Sequence, residues 1–385
     1  MKLSILLTAL ATAIALPASA EESVKIGVIL PMSGPFANYG KQIENGIRLY
    51  MKQQGDKVAG KKIELLLRDD TGPAPEVTKR HAQELIVKDK VDILAGFGLT
   101  PNGLAAAPLA TEAKKPMIIM NAATSIITTK SPYIARLSMT LPQVTAPMAT
   151  WAAKNGIKKV YTLVSDYGPG HDAEGQFKKT FTAAGGQIVG EVRVPLKSPD
   201  FSPYLQRIKD SQPEAVFIFL PAGEQGVAFM KGFVERGLDK AGIKLIATGD
   251  VTDDDVIEAM GDSALGVITS HHYSAAHDSA LNKAFVKGYA EIDAKMRPNF
   301  MAVAGYDGMA AIYGALKKTN GSADGDKIMA ALKGMKLDSP RGPIMIDPET
   351  RDIVQNVYIR RVQKVDGKLY NVEFDKLEAV KDPGK

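Results

Sequence analysis

Thr100 and Asn102, with Thr124 in the next such loop, are the residues whose types and setting most readily suggest binding chemistry. They lie in glycine- and hydroxyl-rich loops that follow apolar, β-rich runs. The first loop opens onto a helical pattern read from Gly103 to Ala113. Free backbone N–H groups and the positive dipole end at such a helix start favour a carboxylate or another anion. The same residue types are also the ordinary caps of helices and turns, and spacing alone leaves both readings open.

Other candidates point away from catalysis. Asp166, Asp172 and Asp250 offer carboxylates, but no recognised spacing pairs an acid with a base in one site. Asp253, Asp254 and Asp255 are consecutive, without the alternating pattern that wraps calcium, and read as a helix start with Thr252 or Asp253 as cap. His271 and His272, with His277 nearby, form the histidine cluster, but no carboxylate or thiol lies at a ligand-like interval. Neither G-x-x-x-x-G-K-[ST] nor G-x-G-x-x-G occurs, although Gly168-Pro169-Gly170 imitates part of the latter. The G-x-S-x-G and H-E-x-x-H patterns are missing too. The expectation is a binding protein, not an enzyme, with no metal and no cofactor.

Elements that would position these loops alternate along the chain as βαβ units, which predicts an α/β fold with largely parallel sheets. Strands are read at Val24 to Leu30, Lys62 to Leu67, Val91 to Ala95, Met117 to Met120, Val160 to Val164, Ala215 to Leu220, Leu245 to Thr248 and Val267 to Ser270. Helices are read at Pro75 to Val87, His171 to Ala184, Pro203 to Ser211 with Ser202 as N-cap, and Glu224 to Arg236. Two long helical patterns, Ser279 to Met296 and Phe300 to Lys317, break the rhythm, and Arg341 to Tyr370 reads as antiparallel strands. In open α/β sheets ligands bind beyond the carboxyl ends of strands, which is where the four loops Pro31 to Gly40, Gly96 to Asn102, Asn121 to Ser125 and Asp166 to Gly170 fall.

Lys2, the apolar run Leu3 to Leu16 and Ala18-Ser19-Ala20 read as a cleavable signal peptide over residues 1–20, so the mature protein is expected outside the cytoplasm, which for the family it resembles below means the periplasm. The remaining chain is longer than one core usually serves, which predicts two lobes. The chain has no cysteine, which excludes thiol catalysis and disulfides. Its formal charge of +5 is spread without a dense basic run, so no nucleic-acid partner is expected.

The exported start, the run Val24 to Pro35 ending Pro31-Met32-Ser33-Gly34-Pro35, then Tyr39-Gly40, Gly46, the Gly96 to Asn102 loop, Pro116 to Thr124, Asp166-Tyr167-Gly168, and Tyr306-Asp307 together resemble the periplasmic solute-binding proteins of branched-chain amino-acid ABC transporters. The resemblance covers essentially the whole mature chain. It implies a type I periplasmic-binding fold: two doubly wound parallel-sheet lobes joined by three crossings, residues 24–140 plus 274–333 in lobe 1 and 141–273 plus 336–374 in lobe 2. It also implies a carboxylate ligand held by Leu99, Thr100, Ala122 and Thr124, covered by Tyr167, and, for an amino acid, an acid near Asp250 for the ammonium. A one-residue shift would place Gly249 there, and a benzoate- or cinnamate-type acid then becomes the better ligand. Arg341, His272 and Tyr273 depart from the amino-acid pattern and could wall the cleft, beside ordinary hinge roles. The implied function is capture of a small hydrophobic or aromatic carboxylate for an inner-membrane ABC permease, by a monomer. A soluble sensor that presents its loaded form to a receptor is the alternative.

Overall fold

The computed structural model describes residues 22–197 and 199–384. The signal peptide expected over residues 1–20 lies outside the described residues. In chain order the strands are β1 (Ser23–Leu30), β2 (Lys57–Val58), β3 (Lys61–Asp69), β4 (Ile93–Gly96), β5 (Met117–Ile119), β6 (Ile134–Arg136), β7 (Lys159–Ser165), β8 (Gln187–Val194), β9 (Ala215–Phe219), β10 (Lys244–Thr248), β11 (Ile268–His271), β12 (Lys336–Ser339), β13 (Gly342–Ile346), β14 (Ile353–Val365) and β15 (Lys368–Val380). The helices are α1 (Ala37–Gln54), α2 (Pro75–Val87), α3 (Thr100–Glu112), α4 (Leu141–Lys154), α5 (Gly168–Ala183), α6 (Ser202–Asp210), α7 (Glu224–Glu235), α8 (Ile257–Met260), α9 (Ala280–Ile292), α10 (Phe300–Lys318) and α11 (Gly325–Leu332).

Two sheets organise the molecule. The first has six strands in the order β2-β3-β1-β4-β5-β6, parallel except for the β2/β3 hairpin at its edge. The second has nine, in the order β12-β13-β14-β11-β10-β9-β7-β8 with β15 on β14. Its strands β7 to β11 are parallel, and β12 to β15 join antiparallel, as the last segment's pattern predicted. The chain crosses between the two sides three times: after β6 into the second sheet, after β11 back to the first side, where α9 and α10 pack on α1, and before β12 into the second sheet again. Helices cover the sheets, so the end of β1 is buried from Ile26 to Leu30 and reads as a continuous apolar run. Helices α1 and α10 pack closely because Gly46 lies against the Ala302 carbonyl and Gly305 against that of Ile43, with no room for a Cβ at either.

Several elements escaped the sequence reading for physical reasons. Strand β6 is only three residues long, and β8 is a half-exposed edge strand with Glu191 and Arg193 interrupting its apolar character. Helix α4 carries Pro142 and Pro147; its start is secured by Thr140, whose hydroxyl accepts the Gln143 N–H at 3.2 Å. Ser202 is the first residue of α6 rather than its cap, and its N–H donates to Asp200 Oδ1 at 2.9 Å. The Thr252–Asp255 segment is a turn rather than a helix start; α8 begins only at Ile257, and Asp253 instead accepts from Asn299 Nδ2 at 2.8 Å. No helix among the described residues is long and apolar enough to cross a membrane.

Candidate functional site

The loops after β1, β4, β5, β7, β9 and β10 meet between the two sheets. There Tyr39, Gly98, Leu99, Thr100, Asn121, Ala122, Met139, Tyr167, Phe219 and Asp250 line one narrow cleft, in which only about 20 Å³ is open to the centre of a water-sized sphere. The lobes are therefore drawn together in this conformation. Five of the six residues expected at the site line the cleft, and the sixth, Thr124, meets it through Thr100, their hydroxyl oxygens 3.1 Å apart.

Each side contributes different chemistry. Helix α3 begins at Thr100, three residues earlier than its apolar pattern suggests, with Pro101 in the first turn and Leu99 as N-cap. The positive end of its dipole thus lies at the hydroxyl pair, an arrangement that favours an anion. Asn102, already inside the helix, is structural: it donates to Asp70 Oδ2 at 2.6 Å and the Gly72 carbonyl at 2.7 Å, and accepts from the Ala74 N–H at 3.1 Å. Ala122 donates its N–H to the Phe97 carbonyl and its own carbonyl accepts from Arg136, so it shapes the wall without a free backbone donor.

Across the cleft, Tyr167 stacks on Phe219 with ring centres 6.1 Å apart. Tyr39 donates its hydroxyl to the Ala222 carbonyl at 3.1 Å, a bond between the lobes. Burial, reinforced by the neighbouring Asp250, holds both phenols well above their ordinary pKa, so both stay neutral hydrogen-bonding groups. Asp250 is 6 % exposed and its Oδ2 has no hydrogen-bond partner, which makes it the unsatisfied acid of the cleft. Gly249 faces the other way, against Arg360 and His271, where no side chain fits.

His271 sits behind Asp250, its Nε2 3.6 Å from Asp250 Oδ2 and outside hydrogen-bond length. Burial pulls His271 down to about 4, partly offset by Asp250, with Arg360 and Arg341 adding to the fall. The native state therefore holds it neutral while the unfolded chain protonates near pH 6.5. Stability from this group is complete above that pH and falls, by up to about 1.4 kcal/mol per unit, as pH drops toward 4. We predict a shallower acid loss for His271→Gln than for the wild type in denaturant titrations between pH 6.5 and 4; equal slopes would mean that His271 is charged in the fold.

Arg341, His272 and Tyr273 do not wall the cleft. Arg341 is fully buried, its Nε 3.0 Å from Asp307 Oδ2 and its NH1 on the Ser138 carbonyl at 3.0 Å. Tyr273 donates to Asn282 Oδ1 at 3.0 Å, and His272 stacks on His271 with ring centres 4.4 Å apart. His277 pairs with Glu373 at 2.8 Å, away from the other two. Asp166 pairs with His171 on the surface and Asp172 accepts the Ser125 N–H, so neither shares a site with Asp250.

Sequence reasoning missed Tyr39, Asn121 and Phe219 as wall residues, and above all Arg136. This buried guanidinium donates to the carbonyls of Ala122 (3.0 Å), Thr124 (2.9 Å) and Met139 (3.3 Å) and pairs with Asp352 at 2.8 Å. It fixes the loop that carries Thr124. Burial lowers it to about 10, which leaves it charged at neutral pH.

The lobes approach each other where Gly168 begins α5. A Cβ there would stand 2.7 Å from Thr124 Oγ1 and 3.4 Å from Thr100 Cγ2. Gly168→Ala should wedge the cleft and weaken ligand affinity by about tenfold, the lower range of overpacking costs, without lowering the melting temperature of the ligand-free protein; titration calorimetry with unchanged affinity would refute the close approach.

Comparison with known proteins agrees with this architecture. The family described as periplasmic binding protein matches residues 23–368. A curated relative, Leu/Ile/Val-binding protein homolog 6 of Brucella melitensis, is 47% identical over 99% of this chain and 98% of its own length. The solute-binding protein of an ABC transporter from Rhodopseudomonas palustris BisB5, solved with 3,4-dihydroxybenzoic acid, is 63% identical with a TM-score of 0.91 over 94% of this chain and 99% of that one. A second R. palustris solute-binding protein, solved with 4-hydroxybenzoate, is 48% identical with a TM-score of 0.92 at the same coverage. The two sheets, the three crossings, the cleft between them and these matches place the chain in the periplasmic binding protein family, with the type I fold.

Proposed function

We propose that this protein, the periplasmic solute-binding component of an ABC importer, captures a hydroxylated aromatic carboxylate of the hydroxybenzoate type. Thr100, Thr124 and the start of α3 hold the carboxylate, Tyr39, Tyr167 and Phe219 enclose the ring, and Asp250 accepts the phenolic hydroxyl. The observation that carries this reading is the unpartnered buried oxygen of Asp250 in an aromatic cleft that has anion-favouring groups on its other side. A buried acceptor without a partner costs roughly 1 to 3 kcal/mol, so a ligand that donates to it gains selectively. The hydroxybenzoates in the two similar crystal structures support the same class. Leucine-like amino acids, suggested by the name of the Brucella relative, are the second reading, with the ammonium on Asp250. No bond is made or broken; binding stabilises the closed lobes, and the permease reads that state.

A thermal-shift screen of stripped protein tests the choice. Hydroxybenzoates at a hundred times their dissociation constant should add about 2.7 kcal/mol of stability, benzoate less, and leucine, isoleucine and valine none. Stabilisation by the aliphatic amino acids alone would reverse the assignment.

A further inference from the structure

The C-terminal tail beyond β15 packs against Ser125, next to Thr124, and against the start of α4. The Val380 carbonyl accepts from Gln143 Nε2 at 2.8 Å, and Lys381 pairs with Asp347 at 2.8 Å. Asp382 then places one oxygen, Oδ1, at the meeting point of three donors: Ser125 Oγ at 3.0 Å, Thr140 Oγ1 at 2.9 Å and the Gly384 N–H at 2.9 Å. Gly384 packs on Ser125 with no room for a Cβ.

Ser125 follows Thr124 in the loop that faces the ligand, and it is almost completely buried. Both of its donors go to carboxylates on elements of the second sheet's side: the hydroxyl to Asp382, and the N–H to Asp172 Oδ2 on α5 at 2.9 Å. The charge of buried Arg136 is felt by both carboxylates, and its NH2 reaches the Ser125 carbonyl at 3.4 Å. Thr140, the third donor group, caps α4 just after the chain leaves the first sheet. One tail carboxylate thus joins a crossing segment to the ligand loop, and a second carboxylate joins that loop to the opposite lobe.

We propose that Asp382 is a positioning residue for solute retention: with Asp172 it clamps Ser125 in the closed arrangement, and the tail thereby slows release of the bound solute. This rests on the reading of the cleft as the solute site. The clamp bonds span groups that separate when the lobes part, so their loss should act on the dissociation rate rather than on encounter.

Stopped-flow measurements with 4-hydroxybenzoate compare the wild type, Asp382→Ala, Asp382→Asn and a chain ending at Lys381. Dissociation should speed up by about tenfold in the alanine variant and the shortened chain, the scale of one hydrogen bond to a charged group. The asparagine variant, which keeps an acceptor oxygen, should recover part of this. Association should change little, and so should the melting temperature of the ligand-free protein. Adding Ser125→Ala to Asp382→Ala should cost little more than either alone. Because the chain has no cysteine, Lys79→Cys on α2 and Lys231→Cys on α7 can carry spin labels, and the closed fraction in their distance distribution should fall in the alanine variant with or without solute. Wild-type dissociation rates and an unchanged distance distribution in the variants would overturn the clamp. Failure of the wild type to bind 4-hydroxybenzoate would count against the ligand assignment instead, and the ligand-free distance distribution would still decide the clamp.

Discussion

Replacing Arg136 by methionine should destabilise the protein by about 3 to 5 kcal/mol, the usual result of removing one partner from a buried ion pair. Arg136 and Asp352 are almost wholly buried and 2.8 Å apart, so the substitution removes the Arg136 charge from beside Asp352 in a place where water cannot replace it. The carbonyls of Ala122, Thr124 and Met139 lose their common donor at the same time. Both effects are read in one experiment, a denaturant midpoint measured beside ligand affinity. A paired change to apolar groups separates them: Arg136→Met with Asp352→Leu should regain much of the stability, because the buried carboxylate is removed together with the guanidinium. Ligand affinity should remain low, because the carbonyls of Ala122, Thr124 and Met139 still lack their common donor. Recovery of both properties together would show that Arg136 contributes only through its charge pair.

Asp250→Asn should change which ligand is preferred. With 4-hydroxybenzoate the variant replaces a charge-assisted hydrogen bond by a neutral one, and affinity should fall by about tenfold or more. Benzoate has no hydroxyl to offer, so the wild type must enclose it beside an unmatched carboxylate oxygen. The neutral amide relieves that cost, and benzoate should bind the variant as well as or better than the wild type. The ratio of the two affinities, taken by calorimetry on both proteins, is insensitive to general damage. An equal loss for both ligands would remove Asp250 from the hydroxyl position.

Much of this arrangement is legible in the chain before its structure. The β1–α1 unit, the parallel core and the antiparallel end follow from apolar periodicity, and helix α2 falls on its expected span. Thr100, Thr124, Tyr167 and Asp250 lie in loops after strands, and a doubly wound sheet brings such loops together. What the pattern could not convey was partnership at long range. Arg136 is an isolated arginine in a three-residue strand, and its partner Asp352 is 216 positions away. Tyr39 reaches across to the Ala222 carbonyl of the opposite side, and Phe219, at the end of β9, joins the wall by stacking on Tyr167 of its own side, partners far apart in the sequence. The choice between Gly249 and Asp250 turned on which of two neighbours faces inward, and this depended on Arg360 filling the space beside Gly249. Asn102 shows the reverse case: its place at a helix start suggested a ligand contact, but its amide is consumed by Asp70, Gly72 and Ala74.

The claim at the centre is that the cleft selects a hydroxylated aromatic acid. Titration calorimetry of the stripped wild-type protein with 4-hydroxybenzoate, and separately with leucine, tests it most directly. The account predicts saturable one-to-one binding of 4-hydroxybenzoate and no heat of binding with leucine. Tight binding of leucine with none of 4-hydroxybenzoate would contradict it and assign Asp250 to an ammonium.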